Sequence, residues 1–408
     1  MPHNLCFICM TDYVLERERK LPVISHYDIV VVGAGIAGTA AALAASRHNK
    51  KVLLVERMYA IGGLATLGLI TVYLPLCDGT GRQICFGLND EFLKLAISRG
   101  YEDKYPDTWL PRPSDEHRGQ RFEVGYNAQV FAVLLEQELL KAGCTVLYGT
   151  FAAAVIKKSE VIDSVIIENK DGRQAIKTHA VIDATGDADI CAMAGAKTAI
   201  FPDGNPLAAW FYETAEGKTK RRMLGAADVL SANPFAESPR RIESKRYSGV
   251  DAAEVSEMTI ASHKASLDEF FKIGNVSQSH SLTALAVIPQ LRKTRRLVGN
   301  YEMNASLQHE YMSDSIGLIG DWRKAGPVYE LSFGSLFSDA VPNLAVVGRC
   351  ISVSNDMWDI TRVIPPSVVT GQAAGTAFSL CNDLRTLDVG ILQNALHDDG
   401  VVIHEREL

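Results

Sequence analysis

The sequence predicts an α/β fold: a parallel sheet covered by helices, with a second, α+β domain inserted into it. Three observations predict this. A β-branched run, Tyr27–Val32, passes through a glycine-rich turn into an alanine-rich helical stretch. Two later apolar runs, beginning at Ala180 and Asn343, lead to glycines at Gly186 and Gly348. The residues between these runs, about 196–340, have a mixed pattern and are numerous enough for a separate domain.

The first element, Tyr27–Val32, has the continuous β-branched character of an interior parallel strand. It runs into Gly33-Ala34-Gly35-Ile36-Ala37-Gly38 and the helix Thr39–Arg47. Gly33 permits the sharp turn, Gly35 lets the backbone approach a pyrophosphate, and Gly38 lets helix and strand pack closely. Free N–H groups and the helix dipole then favour phosphate at that point. A second strand, Lys51–Val55, ends in Glu56, about 20 residues beyond the turn, where a carboxylate can bind ribose hydroxyls. The whole reads as a Rossmann-like dinucleotide unit. Ile29–Ser46 is an 18-residue run without charge, but its central glycines favour strand, turn and helix over a membrane span.

The same fingerprint serves NAD and FAD, so other motifs must decide. Gly62-Gly63-Leu64-Ala65-Thr66 follows Glu56-Arg57. Ala180–Asp187 is a buried strand ending in ATGD, and Asn343–Arg349 is a third strand. A helix beginning near Pro365 runs through Gly371–Gly375.

At these residues the chain resembles the glutathione-reductase-like flavoproteins, and more narrowly the bacterial FAD-dependent oxidoreductase family. The similarity spans about Leu21 to Cys381 and includes LPVISHYDIVVVGAGIAG, GGLATLGLI, RKTRRLVGNY, and VVGRCIS followed by RVIPPSVVTGQAAG. It implies a three-layer ββα, glutathione-reductase-type FAD domain with an inserted α+β substrate domain. Gly33, Gly35, Ile36, Ala37 and Gly38 would hold the pyrophosphate, and Glu56, with Arg57 beside it, the adenosine ribose. Gly62, Gly63, Leu64, Ala65 and Thr66 would pass along the isoalloxazine edge. Ala153 would also contact FAD; Thr185, Gly186 and Asp187 would close over the dinucleotide. Gly348 and Arg349 would line the ribityl chain, although many relatives carry Asp where Arg349 stands. By comparison with fumarate-reductase-type flavoproteins, the backbone of Val363 and Ile364 would face flavin N1/O2. A helix N-terminus there is worth about 0.3–1 kcal/mol to reduced flavin, with Arg362 either adding a full charge or forming an ordinary surface ion pair. Pro365 and Pro366 suit the first helical turn.

The expected layout is a discontinuous FAD domain of residues 24–75, 120–195 and 341–385. Residues 76–119 and 196–340 form a substrate or cap domain, 1–23 an N-terminal extension and 386–408 a C-terminal tail. Within this layout, Asn127–Lys141 is an amphipathic helix leading to a strand at Cys144–Tyr148. Ala153–Lys157, Ser164–Asn169 and Arg173–Lys177 read as an antiparallel meander with a turn at Asp171-Gly172. Thr219–Arg246, polar and with three basic pairs, reads as a solvated loop or helix face, with phosphate or partner binding as the alternative. Asp251 with Glu254 resembles a capping box, and Gly274 a stop, for a helix over 251–272. Tyr101–Tyr126 is either an active-site lid or a plain surface loop.

Across 408 residues the composition is that of a globular protein, 47% apolar and 22% charged. Its 41 Lys+Arg against 48 Asp+Glu give a net charge of −7, which argues against a nucleic-acid partner. Eight dispersed cysteines and a charged beginning without an apolar core fit a cytoplasmic protein lacking an export signal. No metal is expected, since His3, Cys6 and Cys9 lack a fourth ligand. Cys77 and Cys85 are too far beyond the double glycine for a flavin-linked dithiol, and no second dinucleotide fingerprint occurs. Covalent flavin is not expected either, because no His or Cys lies within Gly62–Leu69.

These features point to a flavin exchanging a hydride with a small organic substrate, polar or carboxylated, and, in turn, electrons with an unidentified donor or acceptor. If Gln290–Tyr301 is a strand, Arg292 and Arg296 share one face and Arg295 takes the other. Arg292 and Arg296 either clamp a substrate carboxylate or brace the two domains. Tyr301, Tyr329 and His280 are candidate proton carriers, His280 with the stronger claim to a structural role. Arg362 completes the catalytic candidates. A flavin monooxygenase, or FAD in a non-redox isomerase, hydratase or structural role, are the alternatives. No Trp-x-Trp-x-Ile-Pro segment suggests a halogenase. Oligomeric state is not encoded in any motif found.

Overall fold

The computed structural model describes residues 14–16, 18–97, 123–225 and 242–408. In chain order the first part contains β1 (Val23–Val32), α1 (Ile36–Arg47), β2 (Val52–Val55), β3 (Val72–Tyr73), α2 (Leu88–Ile97), β4 (Val124–Gly125) and α3 (Ala128–Lys141). There follow β5 (Thr145–Leu147), β6 (Phe151–Lys158), β7 (Val161–Asn169), β8 (Gly172–Asp183) and α4 (Asp189–Ala194). The middle holds β9 (Thr198–Ile200), β10 (Asn205–Pro206), β11 (Ala209–Ala215), β12 (Lys218–Leu224), β13 (Arg246–Tyr247), α5 (Ala252–Ile273), β14 (His280–Leu285) and β15 (Arg295–Leu297). The last part adds β16 (Ser315–Gly320), β17 (Val328–Ser332), β18 (Leu344–Val346), α6 (Asn355–Thr361), α7 (Ile364–Leu380) and α8 (Val389–Asp398).

The principal sheet has seven strands in the order β5-β2-β1-β8-β7-β6, with β18 also on β8. Strands β5, β2, β1, β8 and β18 are mutually parallel, as expected for interior apolar runs crossed over by helices. Strand β8 explains the arrangement. The sequence suggests two strands, Arg173–Lys177 and Ala180–Asp187, but the structure has one of 12 residues that stops at Asp183. Along one edge β8 pairs with β1 throughout; along the other its first half pairs antiparallel with β7 and its second half parallel with β18. The meander and the parallel sheet are therefore one sheet.

Helix α1 is buried along nearly its whole length, which its alanines permit. It packs directly on α7: a Cβ at Gly371 would lie 2.2 Å from the Ala37 carbonyl oxygen, and one at Gly375 would lie 2.2 Å from that of Ala41. Helix α3 begins as expected at Asn127, whose side chain caps the Gln129 and Val130 N–H groups.

The inserted segment forms a three-stranded antiparallel sheet, β12-β11-β14, backed by α5. The polar stretch from Thr219 is thus not a loop or helix at its start: residues through Leu224 belong to β12. Cross-strand pairing of Thr214 with Thr219 and Glu213 with Lys220 holds it there. On one face Glu213, fully buried, accepts from Arg222 Nε at 2.7 Å and faces His280 Nε2 at 3.2 Å. On the other face, the Tyr212 hydroxyl bonds that of Thr71, and Arg221 Nη1 donates to the Thr71 carbonyl at 2.7 Å. That contact seats the inserted sheet on the segment after the double glycine. Helix α5 has Asp251 capping the Glu254 N–H, but Glu254 turns to Ser248 instead of closing the expected box. Its Gly274 stop is extended, not left-handed. His3, Cys6, Cys9 and most of the Tyr101–Tyr126 segment lie outside the described residues.

Candidate active site

A cavity of about 690 Å³ opens beyond the carboxyl ends of the parallel strands, where Val32, Val55, Ala184 and Val347 border it. Open α/β sheets offer ligands this position. At one end Gly33, Gly35, Ile36 and Ala37 present the start of α1. Gly33 has φ +100°, and a Cβ there would sit 2.5 Å from the Ala184 carbonyl oxygen, so the turn needs glycine twice over. Gly35 differs: nothing lies within 4 Å of where its Cβ would stand, and its backbone borders open space. Glu56 is buried beside it. Its Oε2 accepts the Ala34 N–H at 2.7 Å and its Oε1 the Met58 N–H at 2.8 Å.

The next stretch of wall comes from the ATGD strand end. Asp183 is fully buried and accepts from Thr185 N and Oγ1 and from Cys191 N, which fixes the turn and the start of α4; burial pushes its pKa up. Asp187 accepts from the Thr294 hydroxyl at 2.7 Å and from Arg349 Nη2 at 3.2 Å. Arg349 therefore enters the wall already paired with the aspartate of the ATGD motif.

At the far end lies the N-terminus of α7, with Val363 as N-cap and prolines in the first turn. Val363, Ile364 and Arg362 all border the cavity. Pro365 and Pro366 have no N–H and Ser367 donates to Val363, so Ile364 carries the leftover donor of that turn. Arg362 Nε donates to Asp359 at 2.9 Å, and Lys293 Nζ to the other Asp359 oxygen at 3.1 Å. Burial alone would raise the Asp359 pKa; Arg362 and Lys293 outweigh it and hold the carboxyl below its usual range.

The insert supplies the remaining wall with Trp210, Arg221, Met223, Ile288, Pro289, Leu291 and Arg292. Gln290 ties it to the double-glycine segment, donating to the Gly68 carbonyl and accepting from Trp210 N at 3.0 Å. Arg292 is buried, its guanidinium 5.3 Å from the centre of the Trp210 ring. Burial first, and then the charges of Arg362 and Arg349, pull its pKa well down. A guanidinium remains charged at neutral pH, so this unfavourable environment is one that an anion would relieve.

The structure brings most of the sequence-derived candidates to this one cavity: Gly33, Gly35, Ile36, Ala37, Glu56, Arg57, Gly62, Gly63, Leu64, Ala65, Thr185, Gly186, Asp187, Gly348, Arg349, Arg362, Val363, Ile364 and Arg292. Others lie off it. Gly38 packs on the turn, with a Cβ position 1.9 Å from the Gly33 carbonyl oxygen. Thr66 donates to the Ile61 carbonyl at 2.6 Å. Ala153 is absent from the wall, where its neighbours Phe151 and Ala152 stand instead. Arg296 lies against Trp358, its Nη1 2.9 Å from Glu302 but off a hydrogen-bonding line. This is a bracing position, not a substrate clamp. Tyr301, Tyr329 and His280 also miss the cavity: the Tyr329 hydroxyl donates to the Ala305 carbonyl, and His280 stacks on Phe270.

Arg292 and Arg296 do not alternate along one strand, because β15 spans only Arg295–Leu297. Sequence reasoning missed Trp210, Met223 and Trp322, which carry no local signal beyond their chemistry, and noted Arg221 only as part of a basic pair on a solvated stretch. Cys77 and Cys85 are buried, unpaired thiols away from the wall, and no metal-ligand cluster occurs among the described residues. No helix among the described residues is long and apolar enough to cross a membrane.

A family model described as FAD dependent oxidoreductase matches residues 28–206 and 202–396. The chain belongs to this family. FAD is accordingly its cofactor, and the site suits it: a glycine backbone facing open space at a helix start, a buried carboxylate beside it, and a second helix N-terminus at the other end. The chain is similar to a vinyl phenol reductase of Lactiplantibacillus plantarum, 35% identical over 185 residues, which cover 39% of this chain and 38% of that protein. It is also similar to digeranylgeranylglycerophospholipid reductase 2 of Methanococcoides burtonii, 27% identical over 183 residues, 43% and 42% of the two chains. The matches thus span about two fifths of these relatives' lengths. Among solved structures, a geranylgeranyl bacteriochlorophyll reductase-like protein from Thermoplasma acidophilum aligns over 92% of this chain and 82% of its own, with a TM-score of 0.46 and 16% identity.

Proposed function

We propose that this protein is an FAD-dependent oxidoreductase that exchanges a hydride between an organic substrate and flavin N5. The observation that carries the reading is the continuity of one cavity from Gly35 and Glu56 to the α7 N-terminus and the arginine-bearing wall of the insert. When bound, FAD supplies the two-electron chemistry. The protein's part is to hold and orient. Gly33 and Gly35 with the start of α1 would take the pyrophosphate, and Glu56 the adenosine ribose. Gly62–Ala65 would run along the isoalloxazine. The leftover Ile364 N–H and the Arg362 charge would favour negative charge at N1/O2, with Asp359 and Lys293 keeping Arg362 in place. Arg292 would orient the substrate against the other side.

The glutathione-reductase-type division follows as part of this reading: residues 24–75, 120–195 and 341–385 around the coenzyme, 76–119 and 196–340 over the substrate. The attachment of β18 to β8 in the principal sheet supports it. So does the separate β12-β11-β14 sheet. Reductase activity in the relatives named above supports electron flow toward an organic molecule.

The test is anaerobic. Oxidised holoenzyme is mixed with a metabolite panel, and photoreduced holoenzyme with the same panel, while the flavin spectrum is followed. At least one compound should bleach the first or restore the second; a flavin inert to every compound in both directions would overturn the redox assignment.

A further inference from the structure

We propose that the insert's wall of the cavity binds the carboxylate of a largely apolar acid, an aryl or alkyl monocarboxylate, with Arg292 as its anchor. This rests on the FAD-dependent reading above and specifies the substrate of that same site.

Arg292 is 5% exposed, and its Nη1 donates to the Gln290 carbonyl at 2.9 Å. No carboxylate pairs with it among the described residues. Its charged neighbours, Arg349 and Arg362, have Asp187 and Asp359 to themselves or shared with Lys293. The rest of the Arg292 fork is not sealed against protein without a partner, since its nitrogens are not among the enclosed, unbonded polar atoms, and the residue borders the cavity. A buried guanidinium is costly to leave uncompensated, and a carboxylate matches its fork with two parallel hydrogen bonds.

The anchor is rigid. Asn205 Oδ1 accepts from both Arg292 N at 2.9 Å and Lys293 N at 3.0 Å. Gln290 fastens the same strip to Gly68, beside the double-glycine segment. A carboxylate held by Arg292 is therefore held against the part of the wall that the isoalloxazine would follow.

The surroundings define the rest of the ligand. Ile70, Val72, Leu74, Met223, Ile288 and Pro289 offer no side-chain hydrogen bond. The other cation of this wall, Arg221, is engaged through Nη1 with the carbonyl and hydroxyl of Thr71. A sugar or a dicarboxylate would leave hydroxyls or a second charge unpaired here, whereas an apolar body would not.

The probes are 3-phenylpropionate, its neutral amide, succinate and acetate, titrated into oxidised holoenzyme while the visible flavin spectrum and tryptophan fluorescence are recorded. The expected result is saturable binding of 3-phenylpropionate, at least tenfold tighter than its amide or succinate. R292M should weaken it at least tenfold and R292K less. I288N, with the anchor intact, should weaken 3-phenylpropionate several-fold and leave acetate unchanged, a readout that survives if R292M fails to fold. Equal binding of acid and amide, preference for succinate, or insensitivity to both substitutions would overturn the proposal. So would R292M binding the acid normally while shifting only the flavin potential, because the guanidinium would then serve the coenzyme. A protein that never takes up FAD defeats the oxidoreductase reading instead; a yellow holoenzyme indifferent to every acid defeats this inference alone.

Discussion

Gly35 and Glu56 separate two ways in which a residue can matter at a coenzyme site. Gly35 has an ordinary backbone, φ −64°, and no atom near its Cβ position, so a side chain there strains nothing in the empty protein. It would project only into the space a pyrophosphate would take. G35V should therefore weaken FAD binding at least tenfold, ~1.4 kcal/mol, while the apoprotein melts at an unchanged temperature; flavin-fluorescence quenching and calorimetry read the two effects. Glu56 is the reverse, since each of its oxygens already serves a backbone N–H. E56Q must turn an NH2 toward one of those donors, at a cost of about 1–3 kcal/mol, so apoprotein stability and FAD affinity should both fall. Asp189 offers a pH test. Burial first, then Asp187 and Asp183, push its pKa up to about 6, above the ordinary value of about 3.9 in an unfolded chain. Between these values the folded form holds a proton that the unfolded form has lost. Its contribution therefore declines as pH rises from about 4 to about 6 and is level above. D189N should remove that decline from urea-melting curves taken across this range.

At the scale of elements, the contact between α1 and α7 depends on two glycines with no conformational role. A side chain at Gly371 or Gly375 would meet backbone oxygens of α1 at 2.2 Å, which no rotamer avoids. G371V should cost at least the ~1–3 kcal/mol typical of overpacking and lower the urea midpoint, with FAD affinity falling as the Ala37 backbone is displaced. These elements also show what the sequence could disclose. The β1–α1–β2 unit was legible because each piece has its own periodicity and punctuation within about 30 residues. The single length of β8 was not, because His179 and Thr178 interrupt the apolar pattern where β8 changes partner from β7 to β18. That exchange is a property of two distant strands. Arg292 was picked out by its chemistry but set on the wrong geometry: its backbone is held by the side chain of Asn205, 87 residues earlier, and not by a ladder. Trp210 and Arg221 reach the cavity through the docking of one sheet on Thr71, which no local pattern announces.

For the whole molecule, the cavity wall draws on chain segments separated by more than half the sequence, with Val32 at one extreme and Ser367 at the other. A ligand there crosslinks them. FAD at a free concentration 100 times its Kd should raise the unfolding free energy by about 2.7 kcal/mol, provided the unfolded chain does not bind it. Calorimetry at several FAD concentrations should show the melting temperature rising with the logarithm of the excess. A melting point that ignores FAD would mean that the folded chain does not bind it in preference to the unfolded one.

That same separation has a bearing on biosynthesis. The glycine turn leaves the ribosome well before Arg362–Ile364, since Arg362 lies 329 residues beyond Gly33. A nascent polypeptide thus has a phosphate-binding turn long before it has the opposite rim. Loading with FAD therefore waits for α7, and messages cut short before it would yield protein that stays colourless however much vitamin the cell contains.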